Sequence, residues 1–227
     1  MDISLAKELE KKLQISSDAI VREEYELVLL KAIFESDFST SLIFKGGTAL
    51  RLCYGSPRFS DDLDFSVVGV FDSKEFLTFL EHLKGQHGII SVETADKHYT
   101  AFALVKFSDS AMSRPFSIKI EASKRAEEWI RGEDYTTKPI TSPVTVLSLV
   151  GYVASLEHIL AGKIDAIKNR KAPRDAFDYW FIKQALGNHT AQLDFSQYDR
   201  EAVTAEMRRL LPRQQWNLLK NYDQKKT

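Results

Sequence analysis

The run Lys45-Gly46-Gly47-Thr48-Ala49-Leu50-Arg51-Leu52, followed shortly by Ser60-Asp61-Asp62-Leu63-Asp64-Phe65, decides how the chain is read. An apolar segment, Leu42-Ile43-Phe44, leads into it. The pattern predicts a strand, a double-glycine turn, a short helix, and a second strand carrying both aspartates. Residues two apart on a strand share a face, so Asp62 and Asp64 project together while Leu63 and Phe65 enter the core. Glycines lacking Cβ let backbone N–H groups approach an anion. Thr48 adds a hydroxyl, and the helix offers its positive N-terminal end. Two carboxylates side by side repel unless a cation sits between them. Hard oxygen donors beside a phosphate cradle select Mg²⁺.

Taken singly, Gly-Gly-Thr is an ordinary turn and Asp-x-Asp an ordinary solvated edge. Their order and close spacing, with a helix between two apolar strands, is what sets them apart. The arrangement resembles the signature of the polymerase-beta-like nucleotidyltransferase superfamily. The longer string, Phe44-Lys45-Gly46-Gly47-Thr48 through Phe59-Ser60-Asp61-Asp62-Leu63-Asp64-Phe65, is similar to that of the AbiEii/AbiGii-type nucleotidyltransferase toxins.

At 227 residues the chain can bury a sizeable core as one large domain or two small ones. No apolar run is long enough to span a bilayer, and the charged N-terminus lacks the pattern of a secretory signal. A single cysteine, Cys53, precludes an internal disulfide and fits a cytoplasmic location; its helical position reads as core filler. Net charge is −1, which argues against a protein held on nucleic acid by bulk charge.

Around the motif, residues 3–14 read as an amphipathic helix, and Ser16-Ser17-Asp18 caps a longer one with Val21, Tyr25, Val28, Leu29 and Ile33 inward. Arg58 could reach a phosphate or pair on an exposed surface. Ser73 opens a helix ending near Gly85, with Phe76, Leu77, Leu80 and Leu83 buried. Segments 89–94, 99–107 and 116–122 follow as strands, and their short links predict antiparallel pairing. In the third, Glu121 lies opposite Ile118 and Ile120. It is a solvated strand residue or a third carboxylate sharing a sheet with Asp62 and Asp64. Pro139 and Pro143 restrict regular structure over 133–150, and 144–153 is β-branched enough for a further strand.

Ser155 caps a helix over 156–170 whose apolar stripe contains Lys163. A lysine there either snorkels to the rim of the core or aims its ammonium at an anion. Downstream, Leu160-Ala161-Gly162-Lys163-Ile164-Asp165-Ala166-Ile167 to Arg170, then Arg174-Asp175-Ala176-Phe177-Asp178, resembles the later motifs of the same toxin family. Gly162 departs from the family pattern, where an acid is common, without removing a catalytic group. Pro173 starts the next helix, placing Asp175 in its first turn and Asp178 on nearly the same face.

The resemblance implies a mixed sheet with flanking helices: an α/β (α+β) nucleotidyltransferase core over 1–150, and a helical C-terminal region over 151–227 that completes the cleft. It implies Asp62, Asp64, Lys163, Asp175 and Glu121 as catalytic groups, with Asp62, Asp64 and Glu121 on Mg²⁺. Lys45, Gly46, Gly47, Thr48, Arg58, Arg174 and Asp178 would contact the nucleotide, and Glu121 or Asp175 would act on the attacking hydroxyl. The implied activity is nucleotide transfer from an NTP to an acceptor hydroxyl, with the tRNA 3′ end as acceptor. The setting would be a toxin–antitoxin or phage-defence pair with a cognate antitoxin. Two other readings stand beside it: an AMPylase-like, protein-modifying transferase, and a non-catalytic binding module of the same fold. The basic tail, with Arg208, Arg209, Arg213, Lys220, Lys225, Lys226, Trp216 and Tyr222, reads first as solvated helices with two core aromatics and second as a grip on RNA.

Overall fold

A computed structural model of the chain describes residues 1–219. Helices α1 (Ile3–Leu13) and α2 (Ser17–Phe34) come first, capped by the Asp2 and Ser16 side chains. Strand β1 (Leu42–Lys45) runs directly into α3 (Gly46–Tyr54), so the double glycine opens the helix instead of forming a separate turn. Then follow β2 (Asp62–Val67), α4 (Ser73–Glu81), β3 (Ile89–Lys97), β4 (Thr100–Phe107) and β5 (Phe116–Ser123). The chain continues through β6 (Tyr135–Thr141), β7 (Ser148–Ala154), α5 (Leu156–Asn169), α6 (Pro173–Ala185) and α7 (Arg200–Leu210).

The strands form one mixed seven-stranded sheet in the order β3-β4-β5-β2-β1-β7-β6. β3, β4 and β5 pair antiparallel, as expected from their short links. β1 pairs antiparallel with β2 and parallel with β7, and β2 pairs parallel with β5. Leu42, Ile43 and Phe44 on β1 are fully buried. Such a continuous apolar run is what a strand covered on both faces requires. Leu63 and Phe65 of β2 also point into the main core, which leaves Asp62 and Asp64 on the other face. A second, smaller core joins α6 and α7 through Phe177, Phe195, Tyr198, Val203 and Met207.

The structure corrects the expectation of irregular chain over 133–150. Tyr135–Thr141 forms β6, and Pro139 is tolerated because β6 is an edge strand whose outer side needs no ladder donor. The strand sought over 144–153 is β7, offset to Ser148–Ala154. The boundary expected at residue 150 therefore falls inside β7, and the helical region begins with α5. Cys53 is half-buried, and burial pushes its thiol up to about 12, which suits packing more than nucleophilic chemistry. Among the described residues no helix is long and apolar enough to cross a membrane.

Glu26 on α2 is 1% exposed, and among the described residues neither carboxyl oxygen has a hydrogen-bond partner. Burial, then Glu23 and Asp61, push its pKa well above the ordinary value. The folded chain therefore keeps a proton that the unfolded chain releases, and stability falls as pH rises above the ordinary glutamate range. Glu26→Met is expected to stabilise the fold by about 1–3 kcal/mol at pH 8, with the gain shrinking toward pH 4. Thermal melts at the two pH values check this.

Candidate active site

Two charged clusters come together at β2. The first lies on the sheet. Parallel pairing sets Asp62 opposite Lys119 and Asp64 opposite Glu121, so all four side chains share one face. Lys119 Nζ lies 2.7 Å from Glu121 Oε2 and 3.3 Å from Asp62 Oδ2. Burial, followed by the Asp62 charge, raises the Asp64 pKa, and Lys119 and Lys163 only partly oppose the rise. Lys45 is opposite Asp64 across the β1–β2 pair; burial lowers its pKa against the pull of Glu127 and Asp64.

The second cluster is a chain of ion pairs running from the α3–β2 connection into α5 and α6. Arg58 donates from Nε and Nη2 to the two Asp178 oxygens at 2.7 and 2.9 Å, and from Nη1 to the Phe59 carbonyl at 2.7 Å. Lys163 Nζ lies 2.6 Å from Asp178 Oδ2 and 2.9 Å from Asp175 Oδ1. Arg170 then grips Asp175 with Nε and Nη2 at 2.7 and 2.9 Å. Three cations against two carboxylates leave this chain at net +1. Both Lys163 and Arg170 act electrostatically on the Asp64 carboxyl, so the clusters are neighbours. Lys163 is 8% exposed; two of its three donors are spent on aspartates, leaving one.

The glycines are shaped by these clusters. Gly46 has φ +83°, and a Cβ there would lie 2.5 Å from Asp64 Oδ2. A Cβ on Gly47 would lie 2.2 Å from Arg58 Nη2 and 2.8 Å from Ser60 Oγ. Arg58 cannot swing aside, because Asp178 and Phe59 hold all three of its nitrogens. Gly47→Ala is therefore expected to destabilise the fold by about 1–3 kcal/mol, read as a lower melting temperature.

Several expected nucleotide contacts are corrected. Arg58 is buried, with all three of its nitrogens held by Asp178 and Phe59, so it is neither an exposed arginine nor a free phosphate ligand. Thr48 is buried and donates its hydroxyl to the Asp62 carbonyl, which ties α3 to β2. Arg174 pairs with Glu206 of α7 and stands outside the ionic chain. Asp178 lies under the cluster, completely buried between Arg58 and Lys163. Asp175 is held as an anion between two cations. Burial works against its charge, but Arg170 and Lys163 outweigh it and bring the carboxyl down to about 2, far from the value proton abstraction needs. Trp216 packs, partly buried, against the second core, with Arg208 across its ring. Lys220, Tyr222, Lys225 and Lys226 lie outside the described residues.

Two participants carry no assigned role in the sequence reading, although Arg170 closes the string that resembles the toxin family. Lys119 stands two residues before Glu121, a spacing that already put it on the same face. Arg170 follows Lys163 by seven residues, at the extended C-cap of α5, and meets the same carboxylate, Asp175.

Among the described residues, no group of three or more His, Cys, Asp or Glu side chains could hold a metal unaided. The three-carboxylate ligand set of Asp62, Asp64 and Glu121 is thus not preassembled; Lys119 lies between Asp62 and Glu121. The Asp62–Asp64 pair still fits Mg²⁺, which commonly takes one or two protein carboxylates and draws its other oxygens from phosphates and water. The raised Asp64 pKa marks a negative charge that a cation would relieve.

A sequence model of the nucleotidyl transferase AbiEii toxin family, of the type IV toxin–antitoxin systems, matches residues 28–224. The chain belongs to this family. Its fold is shared with JHP933 from Helicobacter pylori (22% identity, TM-score 0.56, covering 85% of this chain and 79% of that one). It is also shared with MenT4, a nucleotidyltransferase toxin from Mycobacterium tuberculosis H37Rv (19% identity, TM-score 0.60, 91% and 69% covered). No curated protein matches the chain. As an AbiEii-family member the chain is a nucleotidyltransferase-type toxin, and the two clusters at β2 lie within the matched residues.

Proposed function

We propose that this AbiEii-family chain transfers a nucleotide from an NTP to an acceptor hydroxyl and releases pyrophosphate. The reading rests on one juxtaposition: a carboxylate face on β2 and β5 next to a net-positive chain that ends in Lys163 and Arg170. In the reaction the acceptor oxygen forms a bond to the α-phosphorus and the bond from that phosphorus to the pyrophosphate oxygen breaks. The hydroxyl proton passes to a base. Positioning and charge stabilisation dominate such chemistry.

Asp62 and Asp64 would hold Mg²⁺, which when bound neutralises phosphate charge and orients the α-phosphate. Lys163 keeps one donor for the leaving pyrophosphate, and Arg170, with only two of its five N–H groups spent on Asp175, keeps three. The α3 N-terminus, which has no side-chain cap and opens beside Asp64, would offer backbone N–H groups to the same phosphates. Glu121, opposite Asp64, takes the base role that Asp175 cannot fill. Asp175 and Asp178 position Lys163.

The acceptor we propose is the 3′ end of tRNA, in a cytoplasmic toxin–antitoxin or phage-defence setting with an antitoxin encoded nearby. Support comes from the position of the α7 bases: Arg209 lies 2.7 Å from Asp61, the residue before Asp62. The test is to incubate purified protein with Mg²⁺, each α-labelled NTP in turn, and total tRNA. Label on tRNA is the expected result. Label on protein would move the acceptor to a protein hydroxyl. No transfer from a preparation that binds NTP would overturn the enzyme and leave a binding module.

A further inference from the structure

Strand β5 brings a cation as well as an acid to the shared face. Lys119 stands opposite Asp62 as Glu121 stands opposite Asp64. A lysine on the solvent face of a strand ordinarily extends into water. This one folds back, with Nζ 2.7 Å from Glu121 and 3.3 Å from Asp62, and its charge also reaches Asp64. Its ammonium therefore lies between Asp62 and Glu121, with Asp64 within reach of its charge.

We propose that Lys119 is a built-in counter-cation: its ammonium holds the Asp62–Asp64–Glu121 face together until a divalent cation displaces it. The assignment rests on the reading of this face as a cation platform. Three carboxylates on neighbouring strands, in register, repel one another when unshielded. Lys119 supplies the shield from within the chain. A divalent ion bonded to the Asp62 oxygens would stand within a few ångströms of the ammonium, and two cations at that range repel. The flexible four-carbon stem allows the ammonium to leave without moving the strand. Lys119 is thus a positioning residue in the free protein and a competitor of the metal. The face is kept ordered at the expense of metal affinity.

The experiment is a Mn²⁺ titration of the full chain, without nucleotide, read by the electron paramagnetic resonance of free Mn²⁺, with thermal melts in parallel. Lys119→Met should bind Mn²⁺ about 10-fold more tightly than the wild type, since the competing charge is gone. Lys119→Arg should stay close to the wild type. Adding Asp62→Asn to Lys119→Met should abolish the gain, which places it at this face. Without metal, Lys119→Met should melt below the wild type, and Mn²⁺ should close the gap. Unchanged or weaker Mn²⁺ binding in Lys119→Met would overturn the proposal, as would a gain that survives Asp62→Asn. Nucleotide transfer is not read here. A chain that shows the Mn²⁺ shift yet never labels an acceptor loses the enzyme and keeps the counter-cation, and the reverse result does the opposite.

Discussion

Asp64→Asn is expected to cut nucleotide transfer by about 10²–10³-fold or more while raising the melting temperature. The two effects have one origin. The Asp64 carboxyl is set among other acids, and burial and the Asp62 charge raise its pKa despite Lys119 and Lys163 nearby. Its charge is therefore held against the preference of the fold, a cost that a bound cation would relieve. Over the pH window above 3.8, the folded chain retains a proton that the unfolded chain has shed. Stability falls as pH rises through that window. An amide of the same shape carries no such penalty. The gain at pH 8, about 1 kcal/mol or some 2–4 °C for a chain of this size, should vanish below pH 3. Label transfer at wild-type rate, or a lower melting temperature at pH 8, would show that Asp64 is a packing residue.

The parts of this site that rest on strand periodicity could be read from the chain. Alternation on β2 put Asp62 and Asp64 on one face, and alternation on β5 put Glu121 opposite Ile118 and Ile120. The helical spacing that set Lys163 within an apolar stripe marked a lysine needing a partner. What periodicity does not encode is which partner. Arg58 lies 120 residues from Asp178, and no local pattern announces that its guanidinium is swallowed by the helical region. Nor does the sequence say that Gly47 is small to admit that guanidinium, since an anion cradle would ask for the same glycine. Thr48 is opaque for a similar reason: a hydroxyl in a glycine-rich turn looks available, yet this one is donated to the Asp62 carbonyl. Pro139 looked like a breaker because edge and interior strands cannot be told apart before the sheet order is known.

Asp178→Ala should carry the largest stability cost of any substitution at the site, about 3–5 kcal/mol, or a fall of about 6–20 °C in melting temperature. Asp178 is wholly buried and answers two buried cations, Arg58 at 2.7 and 2.9 Å and Lys163 at 2.6 Å. Its removal strands Arg58 and leaves Lys163 with Asp175 alone. The cost therefore arises from orphaned charge more than from a lost attraction, and that distinction can be measured. Adding Arg58→Met to Asp178→Ala removes one stranded cation and should recover about half of the loss, a coupling typical of residues in contact. The pH dependence has a fixed sign. Burial opposes the Asp178 charge, but Arg58 and Lys163 outweigh it and lower the pKa, so the stability it contributes is complete above the ordinary aspartate value. That stability is lost as pH falls through the depressed value, and the gap between wild type and Asp178→Ala should narrow in acid. Melts from pH 7 to pH 2 test the trend. In the double variant Lys163 retains Asp175 but loses the partner that fixes its second donor. Transfer should then fall even in chains that remain folded, because an ammonium free to rotate no longer presents its remaining N–H to the leaving pyrophosphate. Full activity in a folded Arg58→Met/Asp178→Ala chain would mean that Lys163 needs no such guidance, and the buried ion chain would be scaffolding alone.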